Sequence, residues 1–112
     1  MAKANLMRVD AGGKPNIDDL SFVGTRKPTK ENISPRDFWN IPETGEWGVD
    51  NGIGHRAATE LVEYMNAAGS SAPFMLGSVV GSMIEKGRFG GVEVGFLQVF
   101  GELAAKAMDG RR

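Results

Sequence analysis

Three apolar stripes at helical spacing, divided by glycines, fill residues 53–108 and restrict that stretch to packed helices. In the first, Ala57, Ala58, Leu61, Val62, Met65 and Ala68 share one face, with Arg56, Glu60 and Glu63 on the other. Gly69 ends it. The second carries Leu76, Val79, Val80, Met83 and Ile84, with Pro73 in its first turn, Ser70 or Ser71 as its cap and Gly87 as its stop. The third carries Phe96, Leu97, Phe100, Leu103, Ala104 and Ala107. Val92, Val94 and Phe96 also alternate with period two, and the longer helical stripe outweighs that alternation. The short links predict antiparallel chain neighbours.

The first half is different in kind. Residues 1–50 hold fifteen charged side chains and no sustained apolar period, whereas only four charges fall between Tyr64 and Gly101. Leu20, Phe22 and Val23 form a short patch that reads as an edge strand or an anchor on the helices. Ser34-Pro35-Arg36-Asp37 has the chemistry of a helix start: a hydroxyl acceptor, proline in the first turn and an early carboxylate. A short helix is predicted near 35–40, ending before Pro42. Asp50-Asn51-Gly52 reads as a turn or cap. Roughly the first fifteen residues and the Asp109-Gly110-Arg111-Arg112 tail are expected to be mobile. The expected architecture is mostly α. A small three-helix core (about 54–68, 73–86, 92–108) forms domain 51–112, and 1–50 is an irregular, extended arm or wrap.

A helical module of about 55 residues is near the lower size limit for independent stability, so the arm or a second copy should cover it. Phe38, Trp39 and Trp47 are expected to pack on the helices or on a partner. The absence of cysteine excludes disulfides and thiol chemistry and suits a reducing cytoplasm. The net charge of −1 gives no general attraction to nucleic acid or anionic membranes. Tyr64 to Ile84 is free of charge, but Gly69-Ser70-Ser71 and Pro73 break it, so it reads as a turn between helices rather than a membrane span.

Catalytic signals are weak. His55 is the single histidine and has no partner at metal-ligand or acid–base spacing; the nearest enzyme reading would combine it with Asp50 or Glu46. Gly52-Ile53-Gly54 lacks the strand and third glycine of a dinucleotide site, and Gly87-Arg88-Phe89-Gly90-Gly91 is read as a link between helices. Asp18-Asp19, Glu43/Glu46 and Glu60/Glu63 are read as surface acids. No catalytic residue, cofactor, metal or small-molecule substrate is assigned. The third helix offers one glutamine and no cation before Lys106, which argues against a DNA-reading helix. Arg26, Lys27, Lys30 and Arg36 keep the alternative of a nucleic-acid-associated regulator using an arm at 26–36.

Glycine on helix faces is the remaining signal. Gly77/Gly81 and Gly91/Gly95 are both i, i+4 pairs, and each interior glycine costs about 1 kcal/mol against alanine. Close approach of another helix is the expected reason, within the chain for Gly77/Gly81. The edge near Val94, Gln98 and Gly101 is instead expected to face another molecule. The resulting expectation is a small accessory protein, an inhibitor or adaptor acting through protein contacts, and a homodimer. Its partner-binding candidates are Trp39, Trp47, Val94, Gln98 and Gly101.

Overall fold

The computed structural model describes residues 16–30, 33–69 and 73–109; the start and the 110–112 tail, both expected to be mobile, and the caps expected at Ser70 or Ser71 lie outside the described residues. Three helices make up most of it: α1 (Trp47–Ala68), α2 (Pro73–Lys86) and α3 (Gly91–Asp109). Before them come a 3-10 turn, Ile17–Asp19, and a two-stranded antiparallel ribbon of β1 (Gly24–Thr25) and β2 (Arg36–Asp37).

α1 begins about two turns before the start expected near residue 54. Glu46 is the N-cap and its carboxylate accepts the Val49 N–H at 2.9 Å. Asp50, in the first turn, accepts from Thr44 N–H and Oγ1 and from Gly45 N–H, closing the entry loop over the helix end. Asp50-Asn51-Gly52 is therefore helix, not a turn. Gly69 ends α1 with φ +69, and Gly87 ends α2 with φ +62. At that second stop Gly87 N–H bonds to Ile84 O and Arg88 N–H to Met83 O, the paired bonds of a Schellman cap.

The helix expected near 35–40 is absent. The same side chains close local turns instead: Ser34 Oγ accepts from Arg36 N–H, and Asp37 Oδ1 accepts from Trp39 N–H. The backbone then pairs across the arm. Gly24 lies opposite Asp37 and Thr25 opposite Arg36, with flanking bonds from Arg26 N–H to Pro35 O and from Asn40 N–H to Phe22 O. This pairing puts Leu20, Phe22 and Trp39 into the core beside Ala57, Ala58, Leu61, Met75, Val79, Met83, Val92 and Phe96.

α2 buries Met75, Val79, Ser82 and Met83, one position round from the expected stripe, and leaves Ile84 exposed. The arm determines that rotation. Ser82 Oγ accepts from Phe38 N–H, Lys86 pairs with Asp37, and Glu85 pairs with Arg26. The expected antiparallel packing of chain neighbours is also corrected. α1 packs mainly on α3 and touches α2 only slightly. Contacts advance in the same direction along both helices of that pair: Gly91 faces Trp47 and Asp50, Gly95 faces Asn51, and His55 reaches Gln98.

Backbone approach makes this seam. A Cβ at Gly54 would overlap Val92 O and lie 2.6 Å from Phe96 N; one at Gly95 would lie 2.8 Å from Asn51 Cα. Asn51 Nδ2 adds a 2.7 Å bond to Gly91 O. Gly91/Gly95 thus has its close partner inside the chain. Gly77/Gly81 does not: among the described residues nothing lies within 4 Å of a Cβ at either position. The two pairs should respond oppositely to alanine. Gly95→Ala should destabilise by about 1–3 kcal/mol through overpacking, and Gly81→Ala should stabilise by up to about 1 kcal/mol through helix propensity. Thermal melts in dilute solution read both signs; equal destabilisation would contradict the seam.

Candidate functional site

The expected partner-binding residues separate into a buried one and a surface group. Trp39 is 0% exposed. Its ring centroid is 4.9 Å from that of Phe96 and 5.9 Å from that of Phe22. It belongs to the core and offers no surface to a partner, a correction that follows from the β1–β2 pairing just before it. Trp47 is 58% exposed at the first turn of α1. Gln98 and Gly101 are exposed on α3, and Val94 is half-buried. Trp47, Asn51 and His55 follow one line of α1, while Gly91, Gly95 and Gln98 follow the facing line of α3. Asn51 meets Gly91 and Gly95, and His55 Nε2 lies 3.5 Å from Gln98 Oε1. Trp47 stands exposed at the start of the seam and His55 and Gln98 are exposed further along it, with Gly91 and Gly95 buried and Asn51 half-buried between them. Val94 borders the seam, and Gly101 lies about one turn beyond Gln98.

At the start of α3 is a buried polar cluster not anticipated from the sequence. Glu93 is 0% exposed and accepts from Trp39 Nε1 at 2.7 Å and from Gly90 N–H at 2.7 Å. The Gly90 bond is the carboxylate half of a capping box at the start of α3. Arg88 Nε lies 3.0 Å from Glu93 Oε2 and 3.1 Å from Glu43 Oε1, although neither oxygen lies along its N–H. Its contact there is ionic. The directional bond runs from Arg88 Nη1 to Ile41 O at 2.6 Å. Burial pushes the Glu93 carboxyl up, but the Trp39 indole, the Gly90 N–H, its own N–H and the Arg88 charge leave it below the ordinary 4.5. Bonds from Thr44 and Gly45 outweigh burial at Asp50 and hold it below 3.8. A glutamate three residues after Gly90 at the start of an apolar helix was the sequence signal for this cluster.

Other expected chemistry does not converge. His55 faces Gln98, and the Asp50 carboxylate is turned to Thr44 and Gly45. In the basic arm, Arg26 pairs with Glu85 at 2.7 Å and Arg36 with Asp18 at 2.9 Å. Among the described residues no group of three or more His, Cys, Asp or Glu is placed to hold a metal, and no helix is long and apolar enough to cross a membrane.

A second surface was missed. Phe74, Ile84 and Phe89 are 63%, 74% and 67% exposed around the open Gly77/Gly81 face of α2. The apolar spacing puts Ile84 in the core stripe, whereas Phe74 and Phe89 lie off every stripe and carry no periodic signal. No family model, curated protein or solved structure matches the chain.

The depressed carboxyls make stability pH-dependent. A folded-state value below the unfolded one adds stability above the unfolded value, and that stability disappears as pH falls through the folded value. Glu93→Gln should lower Tm at pH 7, and the gap from the parent chain should narrow as pH drops below 4.5. A gap that stays constant through acid would contradict the charged, bonded state of Glu93.

Proposed function

We propose that this chain is a small non-enzymatic module that works through protein–protein contact, as an inhibitor or adaptor in the cytoplasm. The observation that carries this reading is Trp47, an indole 58% exposed on the first turn of a helix held by a glycine-packed seam. An exposed tryptophan on a rigid element loses little freedom on binding and supplies a large contact area. The Gln98 amide and the His55 ring, further along the seam, add polar contacts at the edge. Such a surface fits a protein with an apolar slot for the indole and an acceptor for its N–H. The lack of cysteine is compatible with that proposed compartment.

Affinity capture from extract, with the wild type beside Trp47→Ala and Gln98→Arg, tests the reading. A central tryptophan contributes about 2 kcal/mol or more, so Trp47→Ala should weaken capture of a saturable partner about thirtyfold. Gln98→Arg should weaken it less, and both variants should keep the parent melting curve. Retention of the same proteins at the same strength by Trp47→Ala would overturn the assignment.

A further inference from the structure

The outer face of α2 carries a second, independent surface. Phe74, Gly77, Gly81 and Ile84 lie on the side of the helix opposite buried Val79. Their spacing is symmetric about residue 79: the glycines are two residues to either side of it, and Phe74 and Ile84 five. A two-fold axis at that level would set Gly77 against Gly81 of another copy, and Phe74 against Ile84. Beside Ile84 is an apolar cavity of about 180 Å³, lined by Val80, Met83, Ile84, Gly87, Arg88 and Phe89. It is half open to solvent, and its volume is of the order of an apolar cavity of about 150 Å³ that holds a benzene ring, the size of a phenyl side chain.

We propose that this face pairs with itself: two copies associate through antiparallel α2 helices crossing at Gly77 and Gly81, and Phe74 of each enters the cavity beside Ile84 of the other. Knob and hole stand on the same helix at matched distances from one axis, which is the requirement for an isologous interface. A different protein would need only one of the two. Residues 74–84 contain no charged side chain, so self-pairing brings no like charges together. The antiparallel order also opposes the two helix dipoles favourably. Counting roughly 200 Å² for a fully exposed large side chain, Phe74, Ile84 and Phe89 at 63%, 74% and 67% exposure leave roughly 400 Å² per copy, and the glycine floor adds roughly 100 Å². Two such faces give roughly 1,000 Å², the size of a weak, transient interface. The pairing is therefore a reversible dimer, separate from the Trp47 surface.

Sedimentation equilibrium of the full chain over a range of concentrations is the test. The wild type should show a monomer–dimer equilibrium. Gly81→Leu and Phe74→Ser should each weaken it by at least about tenfold. Both positions are exposed, so thermal melts should show folded chains. Trp47→Ala should leave the dimer unchanged, which separates this inference from the partner-binding reading. Register is read by cysteine cross-linking, clean in a chain without native cysteine. A mixture of Gly77→Cys and Gly81→Cys chains should form the mixed disulfide faster than either chain alone forms its own. A monomer at all concentrations, a dimer indifferent to both substitutions, or faster like-with-like cross-linking would overturn the proposal.

Discussion

The fold depends on one insertion: Trp39, from a segment with no helix of its own, enters the helical core and bonds to a fully buried carboxylate, Glu93. The indole fills the space between Phe22 and Phe96, and its N–H donates to the buried Glu93 carboxylate. Glu93 is simultaneously bound to the N-terminus of α3 and to Arg88, whose guanidinium reaches back to Ile41 O. Arm, link and third helix are thereby tied at one point. Removing a large aromatic from such a position typically costs about 3–5 kcal/mol, a large part of the total stability of a small domain.

That insertion also determines which surfaces remain free. The arm occupies the Met75–Val79–Met83 side of α2, so the Gly77/Gly81 side turns outward with Phe74 and Ile84. The α1–α3 seam closes through Gly54, Gly91 and Gly95, and so fixes the base on which Trp47 stands. The two proposed contact surfaces are consequences of how the core is filled. One is the outer face of a helix whose inner face the arm occupies, and the other is the exposed start of the helix that the glycine seam locks in place.

The three helices were legible because their signals are local. Pro73 and Gly87 bound α2, and the 92–108 stripe differs from α3 by one residue at each end. The start of α1 was not, because Asp50-Asn51-Gly52 has turn composition and becomes helix only when Glu46 caps it and Asp50 bonds back to Thr44. The ribbon was not, because its pairing of 24–25 with 36–37 is non-local and overrides the helix-start chemistry of Ser34 and Asp37. Among site residues, Gln98 and Gly101 lie on the outward edge of α3 where the stripe leaves them, whereas the exposure of Phe74 and Phe89 depended on which face of α2 the arm covers. Trp39 and Trp47 were indistinguishable as letters, since only the ribbon decides which enters the core.

Fluorescence of the Trp47→Phe chain tests the central claim most directly, because Trp39 is then its only tryptophan. The account predicts blue-shifted emission that iodide barely quenches, and a loss of that shelter in the same transition that melts the helices. Emission like that of free indole in water, fully quenched by iodide in the folded protein, would contradict it.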